Sequence, residues 1–369
     1  MMTLEDKKKT LNKALANLKK KDNLSLDFGN VEEMEFFETP FPTLNTLIGG
    51  GFPKGKFTTI AGAERTAKGT LILQTIGYHM QKDPEFIVLW TDAEDAMDKE
   101  WAEMHGVDFD RVIVQKYSDD APYFEKLLDA GLKLIETGSI DMWVLDSVGA
   151  FTPKSEYEKD IEENAMLDLQ RKLGLFFRKS IRPVSVHKVG VIMVGQIYEA
   201  PQTSYVDIRV KGGNALKHWA HLRLMTRRGN KQEGPTAVKV MAPDGEIRDV
   251  VPGWAQHIKV DKTRVNDKEG QEIILQFVFG RGLDSIAASI TALLAHGIVE
   301  RRGAYYYNEK LPDGKIQGKD ALIDLLKADE ALRSQLITEL DTMLAQEHIQ
   351  REEQPTDLLE DSSQPFLSN

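Results

Sequence analysis

The sequence predicts an α/β fold, a mainly parallel twisted sheet with helices on both faces. Three observations predict it. Between Phe36 and Asp284, short apolar runs alternate with helix-length stretches, the pattern of parallel strands joined by crossover helices. The run Phe57-Thr58-Thr59-Ile60 leads into Gly62-Ala63-Glu64-Arg65-Thr66-Ala67-Lys68-Gly69-Thr70 and then Leu71-Ile72-Leu73. That is the strand, tight loop and helix order in which backbone amides and a lysine wrap the phosphates of a nucleoside triphosphate. Finally, apolar runs end in Asp92-Ala93-Glu94, Asp146-Ser147 and Gly195-Gln196. Polar groups therefore gather beyond the carboxyl ends of the strands, where such sheets bind ligands.

Taken in chain order, residues 4–21 read as an amphipathic helix, with Leu4, Leu11, Ala14, Leu15 and Leu18 on one side and lysines on the other. It is too short to be stable alone and is expected to dock on something. A polar stretch runs to about Glu35. Strands are expected at Phe57–Ala61, Phe86–Thr91, Val112–Gln115, Met142–Asp146, Val189–Val194, Leu222–Thr226, Ala237–Met241, Gln256–Val260 and Ile273–Phe279. Helices are expected at Thr70–Gln81, Lys99–Met104, Pro122–Thr137, Asn164–Ser180 and Gly213–Ala220. Residues 285–345 read as a small separate α/β lobe with a short strand at Tyr305-Tyr306-Tyr307. Residues 346–369 are polar and acidic, the composition of a disordered tail. The expected organisation is thus 1–35, an N-terminal helix and linker for self-assembly; 36–284, the core; 285–345, the lobe; and 346–369, the tail.

Composition narrows the classes. No apolar run approaches the roughly 18 residues of a membrane span, and the first residues lack the apolar stretch of a signal peptide. Cysteine is absent, which excludes thiol chemistry and fits a reducing cytoplasm. The eight histidines show no metal-ligand spacing. Net charge is −11, yet it is uneven. The first 23 residues carry seven lysines against three acids, and the last 23 carry six acids against Arg351. A basic arm and local basic clusters are compatible with nucleic-acid binding despite the overall sign.

Each polar group has a chemical reading and a plainer one. Asp146 at a strand end beside the phosphate loop suits the water shell of Mg²⁺, or it caps a turn. Glu94 can take a proton from an attacking water, or it is surface polarity. Gln196 can hydrogen-bond a terminal phosphate and report it to the segment that follows. That segment carries Tyr198, Tyr205, Arg209 and Lys211 and then Gly212-Gly213, aromatics and cations that suit single-stranded nucleic acid or an ordinary surface loop. Arg171 and Arg178, seven apart, share one helix face, which is usually a solvated one. Met166 at that helix's entrance is more often core than a ligand probe. Together, in this order, these groups favour a P-loop ATPase.

On these residues the chain resembles the RecA family of DNA strand-exchange recombinases. The resemblance runs from the lysine-rich N-terminal helix to about residue 345. The segments that carry it are Gly49-Gly50-Gly51-Phe52-Pro53-Lys54-Gly55, Asp92-Ala93-Glu94, Leu145-Asp146-Ser147-Val148, Thr152-Pro153-Lys154, Gln196-Ile197, Gly212-Gly213-Asn214-Ala215-Leu216-Lys217 and Gly303-Ala304-Tyr305-Tyr306. Tyr198-Glu199 looks like the phage UvsX branch. The resemblance implies a RecA-like ATPase core that uses ATP and Mg²⁺. It implies Glu94 as general base, Asp146 acting through Mg²⁺-bound water, Gln196 as γ-phosphate sensor, and Trp101 stacking on adenine with Asp98 nearby. It implies first and second DNA loops at 160–167 and 198–211, with Met166 touching bases and Arg171 and Arg178 touching phosphates. Lys262 and Arg264 match cations that reach the neighbouring subunit's ATP. The implied partners are single-stranded DNA, duplex DNA during exchange, further copies in a helical filament, and a single-strand-binding protein and loader, with no membrane.

Two positions depart from the G-x-x-x-x-G-K-[ST] pattern. Ala67 stands for the second glycine and is tolerable if its φ stays negative. Gly69 stands for the hydroxyl that ligates Mg²⁺, so binding is expected to persist while hydrolysis slows, with water replacing the ligand. Thr70 points its hydroxyl nearer the α-phosphate. The expected function is an ATP-dependent homologous recombinase, a DNA-dependent ATPase coupled to strand exchange. The alternative is a non-hydrolysing accessory or mediator protein, and a hexameric helicase is disfavoured by the N-terminal helix and C-terminal lobe.

Overall fold

The computed structural model describes residues 2–22, 33–158, 166–199, 208–210, 213–230, 233–235, 238–241 and 247–353. The chain forms two compact units, Met1–Glu35 and Phe36–Asn369. In the first, helix α1 spans Leu4–Asp22. The Asp6 amide donates to Thr3 Oγ1 at 3.2 Å and the Thr3 amide to Asp6 Oδ2 at 3.3 Å, a reciprocal cap that satisfies amides left over at the helix start. Its apolar Leu4, Leu11 and Leu18 are exposed.

The second unit opens with β1 (Phe36–Phe37), α2 (Pro42–Ile48), β2 (Phe52–Pro53), β3 (Phe57–Gly62), α3 (Lys68–Lys82), β4 (Val88–Asp92), α4 (Lys99–Met104), β5 (Val112–Gln115), α5 (Phe124–Ile135) and β6 (Met142–Asp146). It continues through α6 (Lys154–Tyr157), α7 (Met166–Val186), β7 (Gly190–Glu199), β8 (Ile208–Val210), α8 (Gly213–Trp219) and β9 (Leu222–Arg228). Then come β10 (Val238–Met241), β11 (Ile247–Val250), β12 (Gly253–Thr263), β13 (Glu272–Val278) and β14 (Gly282–Leu283). The final elements are α9 (Ser285–Ala295), β15 (Glu300–Arg302), β16 (Tyr305–Tyr307), β17 (Lys315–Gln317), α10 (Lys319–Ala328) and α11 (Glu330–Glu353).

The main sheet runs β14-β13-β12-β9-β3-β7-β6-β4-β5, with β8 added to the end of β7. The stretch from β9 to β5 is parallel throughout, and β12, β13 and β14 extend it antiparallel. Its central strands are buried on both faces, as parallel strands covered by helices must be. Successive side chains point to opposite faces, so neighbours divide between two cores. Val144 and Ile192 join Leu71, Ile72 and Ile76 of α3 on one face. Leu145 and Met193 join Phe124, Leu128 and Ile135 of α5 and Leu173, Phe176 and Phe177 of α7 on the other. At Gly131 of α5 a Cβ would come within 2.3 Å of the Trp143 ring, so glycine lets that helix sit flat on β6. A third cluster, including Ile290, Leu293, Tyr306, Leu322, Leu336 and Leu340, holds α9, α10 and α11 to the three-stranded sheet β15-β16-β17.

Several elements run longer than the sequence pattern predicts, β12 at both ends (Gly253–Thr263) among them. Helix α7 passes the expected end at Ser180 and reaches Val186 through Pro183, because Val184 is fully buried in the core. Strand β7 passes Val194 and reaches Glu199, because β8 pairs with its last residues, Tyr198 opposite Arg209. Tyr198 is therefore a strand residue rather than a loop residue. Helix α11 carries the chain to Glu353, past the boundary expected at 345; residues 354–369 lie outside the described residues. Among the described residues no helix is long and apolar enough to cross a membrane.

Candidate functional site

The register of the parallel strands assembles the site. Gly62 of β3 lies opposite Gln196 of β7, and Asp92 of β4 opposite Asp146 of β6. Gly62, Asp92 and Asp146 close their strands at one edge of the sheet, where the chain leaves β3 and wraps into α3, and Gln196 lies level with them while β7 runs on to Glu199. Glu94 follows Asp92 by two residues and reaches back over this edge. Its Oε1 accepts from Gln196 Nε2 at 3.1 Å and from the buried Ser147 hydroxyl in a short hydrogen bond. The expected base and the expected phosphate sensor thus touch directly.

The loop Gly62–Ala67 is held from inside. The Thr66 hydroxyl lies 2.8 Å from both the Ala63 carbonyl and Thr226 Oγ1 of β9. A Cβ at Gly62 would come within 2.2 Å of that Thr226 oxygen. Lys68 turns its ammonium onto the loop carbonyls of Gly62 and Ala63 at 3.1 and 2.7 Å. Ala63, Glu64 and Arg65 form the exposed crest. Arg65 and Ala67 take left-handed φ values of 56° and 52°. The condition set for Ala67 is therefore not met: it adopts the glycine-like conformation itself and carries the strain of a Cβ there. At Gly69, by contrast, a Cβ would meet nothing within 4 Å.

Electrostatics concentrate at the same edge. Asp146 is pushed up to about 7, first by burial, then by Glu94 and Asp92, with Lys68 opposing. Burial pulls the Lys68 ammonium below its ordinary value, against Asp146, Glu94 and Glu64. These residues fit a Mg²⁺-nucleotide. The first turn of α3 has no side-chain cap, so its amides are available to an anion. Space lies open above Gly69, and a cation and an acidic group stand to either side.

The flank of the loop is aromatic. Trp101 donates its indole N–H to Thr70 Oγ1 at 3.2 Å and packs edge-on to His105. The Thr70 hydroxyl is thereby tied to α4. Asp98 caps that helix by accepting the Trp101 amide at 3.0 Å. Beyond Trp101 lie Phe277, Trp254 stacked on it at 3.8 Å, and the exposed Phe279. The Arg228 guanidinium covers Trp254 at 3.9 Å and holds the Arg65 carbonyl at 2.8 Å.

Lys262 and Arg264 sit elsewhere. Lys262 lies opposite Arg223 and Thr263 opposite Leu222, and these pair with Thr59 and Thr58 of β3. They stand three or four strand residues from Gly62, roughly 10–13 Å along the sheet, toward its other edge. Lys262 donates to the carbonyls of Lys217, His218 and Ala220 at 2.6, 3.2 and 3.0 Å, and Arg264 to His218 at 3.1 Å. The pair therefore caps the carboxyl end of α8.

Among the expected nucleic-acid contacts, Arg171 and Arg178 are exposed on α7, with Arg171 paired to Asp168 at 3.1 Å. Met166 opens α7 and Arg209 lies in β8, while Gly213 opens α8. Tyr205, Lys211 and Gly212 lie outside the described residues, as does most of the expected first loop. The sequence reading overlooked Ser147, Thr226, Arg228, Trp254 and Phe279. Ser147 had a signal, its place beside Asp146 at the strand end. The other four reach the site only through strand pairing distant in sequence.

A doubly covered α/β sheet with a lysine loop at the start of α3 and acidic groups at the adjacent strand ends defines a P-loop nucleotide-binding protein. A model of the RecA N-terminal domain family matches residues 8–283, and the chain belongs to the RecA family of DNA strand-exchange recombinases. It is 30% identical to Protein RecA of Acinetobacter baylyi over 377 residues, covering 96% of this chain and 99% of that one. It is 29% identical to Protein RecA of Paracoccus denitrificans, over 86% of each chain. With Protein RecA of Phytoplasma mali it shares 30% identity over 84% of this chain and 88% of the relative.

Proposed function

We propose that the chain is a DNA-stimulated ATPase that assembles into a helical filament on single-stranded DNA and carries out homologous pairing and strand exchange. The observation that carries this reading is the Glu94–Gln196 hydrogen bond. It joins the residue suited to activating water to β7, the strand that runs on into the β7–β8 hairpin and the expected second DNA loop. DNA on the hairpin can therefore bias the position of the base.

Mg²⁺-ATP, when bound, supplies the phosphoanhydride bond to be cleaved. Lys68 and the amides of α3 hold negative charge at the loop. Asp146 would help to hold Mg²⁺ at the strand end. Glu94 takes a proton from water, and Gln196 orients the terminal phosphate. Trp101 and the exposed Phe279 offer aromatic surface to a base, and Asp98 fixes the helix that carries Trp101. Lys262 and Arg264, standing away from their own loop, suit the site of a second copy, so that assembly completes each site. Arg171, Arg178, Tyr198, Tyr205, Arg209 and Lys211 supply DNA contacts. Tyr198-Glu199 supports placing the chain in the UvsX-like branch.

The test is ATP hydrolysis with and without single-stranded DNA, alongside joint-molecule formation with ATP, a slowly hydrolysed analogue or no nucleotide. Glu94→Gln is expected to lower hydrolysis by roughly 10²–10⁴-fold. The reading fails if wild-type hydrolysis ignores DNA and no joint molecules form with either nucleotide. Gly69 favours a second reading, an accessory protein that assembles without turnover. That reading gains if DNA binding depends on nucleotide while hydrolysis is absent.

A further inference from the structure

Glu94 stands on a short loop between β4 and α4, and two residues, Asp92 at the end of β4 and Lys116 after β5, fix that loop. Asp92 is 3% exposed. Its Oδ1 accepts from the Ala96 amide at 3.1 Å and its Oδ2 from the Met97 amide at 3.0 Å. The Ala93 amide donates to the Asp146 carbonyl at 2.7 Å, tying the start of the loop to β6. Residues 93–97 are thus folded back on one carboxylate, with Glu94 and Asp95 at the turn and Asp95 in the left-handed region at φ 51°. Lys116, the residue after β5, lies 4.0 Å from Asp92 Oδ2 and makes a short hydrogen bond to Asp95 Oδ1. One ammonium therefore spans the buried base of the loop and its exposed tip.

We infer that Lys116 and Asp92 are positioning residues for Glu94, setting where its carboxylate stands over the sheet edge. The inference rests on the reading of Glu94 as the general base. The chemistry supports a role beyond holding a turn together. Asp92, Glu94 and Asp146 bring three carboxylates to one edge, with Lys68 on the loop side. Lys116 supplies positive charge from the opposite side and draws Asp95 outward, so Glu94 is left free to turn inward to Ser147 and Gln196. Lys116 is 46% exposed and Asp95 76%, and an exposed ion pair contributes about 0–1 kcal/mol to stability. A displacement of about 1 Å in a reacting group, however, costs on the order of 10²-fold in rate. Stability and turnover should therefore separate.

The experiment measures DNA-stimulated ATP hydrolysis and thermal unfolding for Lys116→Met, Lys116→Arg and Glu94→Gln in the full chain. Lys116→Met is expected to lower kcat by about tenfold, leave KM for ATP within about twofold, and leave Tm nearly unchanged. Lys116→Arg should restore most of the lost kcat, because it keeps the charge and the reach. Asp92→Asn should act in the same direction if it folds, and Lys116 keeps the inference testable if it does not. The inference is overturned if Lys116→Met keeps wild-type kcat, or if its loss comes with an equal rise in KM or a fall in Tm that arginine does not repair. Glu94→Gln separates the two levels. If it is inactive while Lys116→Met is normal, only the clamp fails; if it hydrolyses ATP normally, the reading of Glu94 fails.

Discussion

Ala67 and Gly69 flank the lysine that defines the phosphate loop, and each breaks the usual pattern differently. Ala67 sits at φ 52° and ψ 23°, where an L side chain costs about 1–2 kcal/mol. Glycine relieves that strain but loses more freedom on folding, about 0.5–1 kcal/mol. Ala67→Gly should therefore stabilise the protein by about 0.5–1 kcal/mol, read from chemical denaturation. Gly69 lies in the first turn of α3 with open space where a Cβ would stand, so a side chain can start there without displacing a neighbour. Gly69→Thr should raise apparent Mg²⁺ affinity and hydrolysis by about tenfold. Unchanged ATPase and unchanged Mg²⁺ dependence would show that the missing ligand is not what limits turnover. The sequence displayed both substitutions but not their geometry. Alanine in a loop does not announce the sign of its φ, and glycine does not announce whether its space is filled.

Local pattern and long-range pairing divide the elements by how legible they are. Lys99–Met104, Val112–Gln115 and Met142–Asp146 have the bounds their sequences suggest, because their periodicity and breakers are local. The extension of β7 depends on β8, and the shelf of Trp254, Phe277 and Phe279 depends on β12 and β13 reaching α4; neither leaves a local trace. Glu94, Asp146 and Gln196 were readable because each closes an apolar run. Ser147 was signalled only by its place beside Asp146, and Lys116 not at all, because their partners are far along the chain. At the element scale Gly131 is a sharp test. Gly131→Ala drives a methyl toward Trp143 on a face already packed without gaps, and should cost about 1–3 kcal/mol, seen as a lower denaturation midpoint. If stability is unchanged, α5 does not lie on β6 as closely as described.

His221 bears on the whole molecule, because it joins β3, β9 and the end of β12. Its amide donates to the Phe57 carbonyl and its carbonyl accepts from the Arg264 amide, both at 2.8 Å. Burial, then the facing Lys56, Arg264 and Lys262, pull its imidazole from 6.5 to about 4. The sign follows directly. Above 6.5 both folded and unfolded forms are neutral and stability is unaffected. Between 6.5 and 4 the unfolded chain takes up a proton that the folded chain refuses, so stability falls as pH falls. His79 and His105 shift in the same direction, so His221→Ser should flatten part of this slope in denaturation measured across that window. An unaltered slope would remove His221 from the account.

The proposed assembly is tested by mixing two inactive variants. Lys68→Ala keeps the far cations, and the double variant Lys262→Ala, Arg264→Ala keeps the loop. Equal amounts should regain roughly a quarter of wild-type hydrolysis, since about one junction in four then combines both intact halves. No recovery would mean that each copy completes its own site. If the junctions form as proposed, the separation of loop and cations to opposite margins of the sheet gives the assembly a direction. One terminus always displays an unfinished catalytic half and the other an unused pair of cations. A trace of the cation-less variant can then block growth at only one terminus, as a poison that acts on one end of the polymer and leaves the other free to lengthen.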